Sequence, residues 1–449
     1  MRVFTRPSRP ISMLAVAALL VAMLSSTAQT AAAADPPGNA IAAWDLIAEN
    51  TIVGSGAFQN ESWVYMAYTT AAMYDATVAI KGRYRPYTGH IHARQGASTN
   101  AAVATAAYVT LHYYFPAQAT TLDALYAEAL AAIPNGRGKT NGIAVGTEAA
   151  NQIIALRTGD GRQTPIGSTS SFPTKTPGAG LWRLTPPAYA AAQTPWVANV
   201  KTFVVPSAAR YLPKPPPSLG SDTWVHDFKE IKAVGSATST ERTTAQTAVA
   251  LFWTANTVRA YNRVAREIAA AKHLSIVRTA RLMAMLNVVL ADTQISVMYA
   301  KYHYLSWRPV NAIDPTSVSA DGYGPVPGFD DGNSATVEQA GWRPLVATPN
   351  HPEYPAAHGT VTSGLAEVLT RFLGTSRINI TVHGFDAAGA PGNFDAARHF
   401  SWASDLRREI INARLWGGLH FHFSGVAGVT EGRSVARYDL SHAFQPIDD

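Results

Sequence analysis

Apolar residues recur along most of the chain at intervals of three and four, which is the spacing of a helix with one buried face. Pro116 stands where proline often starts a helix, and Gly159 where glycine often ends one. The predicted helices cover residues 66–80, 101–115, 115–133, 140–156, 240–272, 275–307, 401–416 and 425–438, with one more starting at Gly359.

Two segments lack this spacing. Residues 185–220 contain the runs TPPAY and KPPPSLG, and residues 314–349 are rich in Gly, Asp and Pro, so both are predicted as long loops. Residues 377–385 alternate apolar and polar side chains and predict a short strand.

The pattern as a whole predicts an all-α fold of two packed helical bundles. Residues 35–220 form the N-terminal helical part and residues 221–449 the C-terminal catalytic part of one compact unit.

Residues 1–34 have the pattern of a secretory signal peptide. Three arginines precede the apolar run ISMLAVAALLVAML, and small residues follow as far as Ala34. The run is short for a membrane span, although an uncleaved anchor is the alternative. We therefore expect a secreted or extracytoplasmic product with no stable membrane insertion of the mature chain.

The amino-acid composition excludes several kinds of partner and of catalytic chemistry. The formal net charge of +6 falls to +3 once the three arginines of the signal segment are removed, and this small scattered excess predicts no nucleic-acid partner. The chain contains no cysteine, which excludes disulfides, thiolate metal sites and cysteine nucleophiles.

Three clusters in the C-terminal half carry candidate chemistry. The first is KYHYLSWRP, where Lys301 and Arg308 are seven residues apart and share one face if the helix is continuous, with Pro309 ending it. Two long cationic side chains on one stripe can converge on one anion. The alternative is a pair of surface cations whose stems lie along apolar surface.

The second cluster is HPEYPAAHGTVTSG, at residues 351–364. His358 precedes a predicted helix whose free N–H groups attract anions and disfavour a protonated imidazole. His358 is therefore a candidate proton carrier. Ala356, Ala357 and Gly359 are small enough for a ligand to approach the backbone. The alternative is a histidine that only caps the helix.

The third cluster is ARLWGGLHFHFSG. Arg414 and His420 are six residues apart, and a break at Gly417 and Gly418 would turn His420 back toward Arg414. The alternative is a helix end followed by an aromatic loop. A metal site using His420 and His422 is a further alternative, but no third ligand with suitable spacing is present.

Together the clusters supply three cations, a helix N-terminus and two histidines, which suits a tetrahedral or trigonal-bipyramidal oxyanion. Their order, K-x₆-R-P, P-x-x-H and R-x₅-H, resembles the signature of vanadium-dependent haloperoxidases and type-2 phosphatidic acid phosphatases. The segments NAIAAWDLIAEN, AAMYDATVAI, FPAQATTLDALYAEAL and LWRLTPPAYA resemble the N-terminal half of bacterial haloperoxidase-like proteins.

The resemblance implies vanadate as cofactor. Lys301, Arg308 and Arg414 would hold its equatorial oxygens, Ala356 and Ala357 stand where the family has cofactor-contacting Ser and Gly, and His420 would bond the metal. His358 would be the acid–base residue, and Lys301 would polarise the peroxide. Hydrogen peroxide and a halide would be the substrates, with a small organic acceptor in addition. His351 stands near the family's presumed halide site, which favours bromide or iodide.

The chain departs from the family pattern at three positions. Ala356 and Ala413 replace serines, and the lost hydroxyl at Ala356 removes a hydrogen bond worth about 1.5–3 kcal/mol to a charged oxygen. Ser424 replaces the aspartate that orients the last histidine in the phosphatase form, a loss that costs roughly 10–100-fold. Two alternatives therefore remain open: an acid phosphatase with His420 as nucleophile, and a degenerate oxyanion-binding protein without turnover.

Overall fold

The computed structural model describes residues 39–164, 178–317, 330–385 and 397–447. The predicted signal peptide lies outside these residues. Thirteen α-helices lie in the described part: α1 Ala40–Gly54, α2 Gln59–Lys81, α3 Thr99–Tyr114, α4 Ala119–Ala131, α5 Arg137–Leu156, α6 Asp222–Val234, α7 Thr244–Phe252, α8 Thr257–Ala271, α9 Ile276–Tyr304, α10 Pro309–Ile313, α11 Ala357–Leu373, α12 Ala403–Trp416 and α13 His422–His442. The predicted all-α fold is confirmed.

Helix α9 is the central element, because nearly all of its residues from Val277 to Lys301 are buried. It packs against α2, α11 and α13. Among the described residues, α9 alone is long and apolar enough to cross a membrane, but 94% of its most apolar window is buried inside the protein. A helix that is hydrophobic all round belongs to the core of a large unit, and Asp35–Asp449 forms one such unit.

Polar residues fix where several helices begin. The side-chain oxygens of five residues accept hydrogen bonds from first-turn N–H groups, which otherwise lack partners. These N-cap residues are Asn39, Ser98, Ser221, Thr243 and Asn256.

Asp292 of α9 ties the long loop to the core. Its carboxylate accepts hydrogen bonds from the N–H groups of Phe203, Val204 and Val205 at 2.6–3.1 Å. The described part of residues 185–220 contains only a short 3₁₀ helix, Pro195–Asn199, so the predicted loop is found.

Several predicted helices are wrong in extent, among them α2, which begins at Gln59 instead of Met66. The predicted helix 240–272 is broken between α7 and α8, where Asn256 caps a new helix instead of continuing the old one. The predicted helix 275–307 ends at Tyr304, because Leu305 adopts a left-handed conformation with φ of 55°.

The only strands in the described ranges form a two-stranded antiparallel sheet. Strand β1, Ile380–Val382, falls inside the predicted strand, and it pairs with β2, Arg398–Phe400. Helix α11 begins at Ala357, two residues before its predicted start.

Candidate active site

Lys301 lies in the last turn of α9 and is fully buried. Its Nζ donates to the carbonyl oxygens of Pro352 at 2.9 Å and Glu353 at 2.8 Å. Burial, followed by the nearby charge of Arg308, holds the pKa of Lys301 well below its usual range. Two of the three donors of its ammonium group thus fasten the 351–358 loop to α9.

Arg308 is not on the same helix as Lys301, which corrects the prediction of one continuous stripe. The chain turns at Leu305, and Arg308 then becomes the residue that precedes α10. Its guanidinium is fully buried, so the surface-cation alternative fails for this residue. It donates from Nε to the carbonyl of His351 at 2.9 Å and from Nη1 to that of Leu419 at 3.0 Å.

Arg308 also holds two imidazole rings. Its Nη1 donates to Nε2 of His420 at 3.1 Å, and its Nη2 donates to Nδ1 of His351 at 3.0 Å. The second and third sequence clusters therefore meet at this guanidinium. Burial lowers the pKa of Arg308 to about 10, which leaves it charged at neutral pH.

The start of α11 offers backbone N–H donors to the site. No side chain caps this helix end, so its first-turn N–H groups have no partner within the helix. The N–H of Ala356 itself is engaged, since it donates to the carbonyl of Ser424 at 3.1 Å. Ala356 therefore contributes neither a hydroxyl nor a free N–H, whereas Ala357 lines the cavity described below.

His358 is the second residue of α11 and faces the same cavity. Its Nε2 is buried and has no hydrogen-bond partner in the described structure. Burial, and then the charges of Arg414 and Lys301, hold the pKa of His358 well below its usual range. The imidazole is therefore neutral at pH 7 and has a free nitrogen for proton transfer.

Gly417 and Gly418 produce the predicted break after α12. Gly418 has φ of +75°, and a side chain there would lie 2.7 Å from Cβ of Pro344. The chain turns back so closely that the N–H of Leu419 donates to the carbonyl of Arg414 at 3.0 Å. His420 is thereby carried to the same cavity as Arg414.

Arg414 keeps part of its hydrogen-bonding capacity free. Its Nη1 donates to the carbonyl of Trp253 at 3.1 Å, while the buried Nε lacks a partner in the described structure. Burial, and then the charge of Arg308, lower the pKa of Arg414 to about 9.

Glu353 is a functional residue that the sequence motifs do not reveal. Nδ1 of His420 donates to Oε1 of Glu353 at 2.8 Å, and both side chains are buried. The N–H of Phe421 donates to the same oxygen at 3.2 Å. Burial raises the pKa of Glu353 to about 7, against the lowering effects of Lys301 and Arg308.

This contact corrects the inference drawn from Ser424. The carboxylate that orients His420 is present, but it comes from the second cluster instead of the fourth residue after His420. The one signal in the sequence is an acidic residue inside the otherwise apolar run HPEYPAAH. Because Nδ1 carries the proton that it donates to Glu353, Nε2 presents a lone pair on the opposite side of the ring.

A cavity of about 310 Å³ joins these groups. From the C-terminal half it is lined by His351, Ala357, His358, Arg414 and His420. Lys301 and Arg308 lie behind its wall, where they hold the lining loop and imidazoles.

The N-terminal half closes the other side of the cavity. Trp63 and Phe58 supply apolar surface there, and Gln59 and Asn60 supply amides, to which Gln294 of α9 adds a third. The cavity is therefore a partly enclosed space with convergent polar groups, as expected for a site that binds a small ligand.

The charge balance of the site favours an anion. The buried Lys301, Arg308 and Arg414 stand near two buried acids, Glu353 and Glu431, and burial raises the pKa of both acids. An uncompensated buried charge is costly, and a bound oxyanion would offset it. The partnerless nitrogens of His358 and Arg414 give the anion hydrogen-bonding groups, so the residues present fit an oxyanion such as vanadate.

His420 and His422 do not form a joint metal site. His420 is buried against Glu353, whereas His422 is 42% exposed and lies 3.6 Å from Oε2 of Glu230. The zinc alternative built on these two histidines is therefore wrong.

The described chain has an all-α fold, and its cavity is lined by Arg414 and three histidines. Residues 281–449 match the family described as the VCPO second helical-bundle domain. No relative is found among the curated proteins.

Solved structures match over most of the chain. A bacterial vanadium-dependent iodoperoxidase has a TM-score of 0.72 at 20% identity, covering 91% of this chain and 97% of its own. A bacterial vanadium-dependent chloroperoxidase matches in its apo form with a TM-score of 0.64 at 15% identity, covering 85% and 92%. Its holo form gives 0.63 at 16% identity, covering 85% and 91%. The likeness to these structures shows a shared fold, and the family match covers the C-terminal segment that holds all three motifs.

Proposed function

We propose that this protein is an exported vanadate-dependent haloperoxidase that oxidises a halide with hydrogen peroxide. The observation that carries the proposal is the orientation of His420. Glu353 fixes its Nδ1–H, and its Nε2 lone pair faces Arg308 beside the cavity. A neutral imidazole with a fixed tautomer is the form that bonds a metal centre.

The site residues have separate roles toward vanadate. His420 would supply the bond to the metal, and Arg308, Arg414, Lys301 and the first N–H groups of α11 would hold its oxygens. When bound, vanadate supplies the Lewis acidity that activates hydrogen peroxide toward halide attack.

The protein's own residues control protons and water. Neutral His358 accepts a proton from incoming peroxide at its free Nε2 and returns it to the leaving oxygen. The partly enclosed cavity limits the water around these charges and strengthens their interactions. A bond from Nε2 of His420 to the metal would replace the hydrogen bond from Arg308, while backbone carbonyls keep Lys301, Arg308 and Arg414 in place.

His351 supports a preference for bromide or iodide. Its ring lines the cavity, and its Nδ1 is fixed by Arg308 at 3.0 Å. A polar imidazole makes the halide pocket less apolar than an aromatic hydrocarbon would, which favours the more easily oxidised halides.

The decisive experiment measures iodide, bromide and chloride oxidation by peroxide, with purified protein before and after addition of vanadate. We expect vanadate-dependent oxidation of iodide and bromide and little oxidation of chloride. His420→Ala should abolish both the activity and tight vanadate binding, whereas His90→Ala, a change at an exposed histidine, should alter neither. Activity without vanadate, or full activity in His420→Ala, contradicts the proposal.

A second candidate is an acid phosphatase that acts on phosphate monoesters through a phosphohistidine. Glu353 favours it, because a carboxylate on Nδ1 raises the nucleophilicity of Nε2 in the same way as the aspartate of the phosphatase form. Hydrolysis of a small phosphate ester that vanadate inhibits, together with absent halide oxidation, would establish this candidate. Oxyanion binding without either activity would instead indicate the degenerate form.

A further inference from the structure

A second group of ligand-type side chains lies outside the cavity, on α6. His226, Asp227 and Glu230 each offer one ligand atom, and these atoms all lie within 4.8 Å of one another. His226 and Glu230 are four residues apart and so share one face of the helix. Nδ1 of His226 is 3.0 Å from Oδ1 of Asp227.

His422 approaches this group from the start of α13. Its Nδ1 lies 3.6 Å from Oε2 of Glu230, and that oxygen has no hydrogen-bond partner in the described structure. Two imidazoles and two carboxylates from separate helices therefore converge, although residues 226–230 and 422 are almost two hundred positions apart in the chain.

The separations suit direct coordination. Metal–ligand bonds of about 2.0–2.2 Å in a tetrahedral site place neighbouring ligand atoms roughly 3.4 Å apart. The measured separations of 3.0 Å and 3.6 Å lie on either side of this value. Two nitrogen and two oxygen ligands suit Zn²⁺ and similar divalent transition metals, and two carboxylates balance the charge of the ion.

The group is open to solvent on one side and anchored on the other. The side chains of His226, Glu230 and His422 are 71%, 32% and 42% exposed, so an ion can enter without unfolding. Asp227 is buried, and its Oδ2 accepts a hydrogen bond from the N–H of Phe423 at 2.6 Å. This bond already fastens α6 to the first turn of α13.

We propose that His226, Asp227, Glu230 and His422 form a binding site for a divalent transition metal of the Zn²⁺ class. The ion would join α6 to the start of α13, close to the loop that carries His420. This site is independent of the oxyanion cavity, and its role is to stabilise the folded chain. In the absence of an ion, the same side chains form ordinary exposed ion pairs, which contribute little.

The test uses untagged protein that has been stripped with a chelator, with Zn²⁺ as the only added ligand. Calorimetric titration should show one equivalent bound, and the melting temperature should rise with Zn²⁺ concentration. His226→Ala, Glu230→Gln and His422→Ala should each raise the Zn²⁺ dissociation constant at least about tenfold. Asp227 is left intact because it holds Phe423.

Three controls show whether Zn²⁺ binds at this cluster or elsewhere on the chain. His90→Ala should bind Zn²⁺ like the wild type, and the three site variants should keep the wild-type melting temperature without metal. His420→Ala should also leave Zn²⁺ binding intact, because the cavity histidines are not ligands of this ion. Absent Zn²⁺ binding overturns the proposal, as does binding that is lost in His420→Ala or that persists in the His226→Ala, His422→Ala double variant. Sulfate binding to the cavity, measured on the His226→Ala, Glu230→Gln and His422→Ala variants, is expected to stay unchanged.

Discussion

At the scale of single residues, the electronic state of His420 is set by its two neighbours. Glu353 takes the proton side of the ring, and Arg308 donates to the other side. The contact with Glu353 makes Nε2 of His420 a stronger electron-pair donor toward a metal or phosphorus centre. The N–H group of Arg308 prevents protonation of the same nitrogen. Each neighbour therefore has a separable effect on oxyanion binding.

Glu353→Gln tests the effect of the acid. The amide oxygen still accepts from Nδ1 of His420, but the negative charge is lost, so Nε2 becomes a weaker ligand. We expect vanadate affinity to fall about 10–100-fold, as measured by calorimetric titration. The fold should be retained, because Lys301 is held by the backbone carbonyl of Glu353 and not by its carboxylate.

Glu431→Gln is the matched control. Glu431 is also a buried glutamate near Lys301, and burial raises its pKa well above the usual range. Its replacement by Gln should leave vanadate affinity almost unchanged. If both variants lose the same vanadate affinity, then the affinity depends on the charge near Lys301 and not on the contact between Glu353 and His420.

His358 should take up a proton when an oxyanion binds. Its pKa lies well below the usual range because it is buried and faces Arg414 and Lys301. A bound dianion offsets these cations and raises the pKa, so the complex binds more protons than the free protein. Affinity for sulfate, which does not itself titrate, should therefore be higher at about pH 6 than at about pH 8.

Proton uptake can be measured by titrating sulfate in buffers of different ionisation enthalpy. Glu353, whose pKa is about 7, shifts in the same direction, so the share of His358 is read from the His358→Gln variant. We expect a smaller uptake in that variant. If uptake is the same with and without the imidazole, His358 is not the group that gains the proton.

The residue scale also shows what the sequence can and cannot predict. Spacing and motif order identify Lys301, Arg308, His358, Arg414 and His420. The last three line one cavity, and the first two hold its wall from behind. The pair of Glu353 and His420 is separated by 67 positions, and no local spacing connects an acid to a histidine over such a distance.

At the scale of elements, the turn after α12 determines where His420 lies. Gly418 has a left-handed backbone, and the loop passes against Pro344 and Gly235 there. Composition predicts this break because two glycines stand together. It does not predict the break at Leu305, since a left-handed non-glycine residue is set by tertiary packing and not by its own preference.

Gly418→Ala and Gly374→Ala form a matched pair. Gly374 has φ of +73°, almost the value of Gly418, but a side chain there meets nothing within 4 Å. We expect Gly374→Ala to cost about 1–2 kcal/mol of unfolding free energy through backbone strain. Gly418→Ala should cost about 1–3 kcal/mol more from steric overlap, and it should weaken vanadate binding.

Denaturant unfolding and vanadate titration of both variants check this prediction. Gly374→Ala should keep wild-type vanadate affinity, because the end of α11 is far along the helix from His358. Similar unfolding energies for the two variants would mean that the loop beside Pro344 adapts to a side chain.

At the scale of the whole molecule, the site belongs to both halves of the chain. The matched family covers residues 281–449, which hold the cations and histidines. The opposite wall of the cavity comes from the end of α1, the start of α2 and the loops before α8. Helical periodicity predicts α2 to α5 but not α1, and which residues of the N-terminal helices face the site depends on packing around α9.

Phe58 should control which peroxides reach the cavity. Its ring is 49% exposed and lines the cavity just before α2. At the start of α2 the backbone N–H of Phe58 donates to Oε1 of Glu61, and this bond does not involve the ring. Phe58→Ala should therefore keep the helix. Removing the ring widens the opening, and we expect kcat/KM for a bulky alkyl hydroperoxide to rise several-fold in iodide oxidation. The kcat/KM for hydrogen peroxide should hardly change, because this small molecule already passes the ring.

Trp402→Ala is the control, since Trp402 is equally exposed at 47% but does not line the cavity. A parallel rise for both peroxides, or the same response in Trp402→Ala, would show that Phe58 does not restrict entry by size.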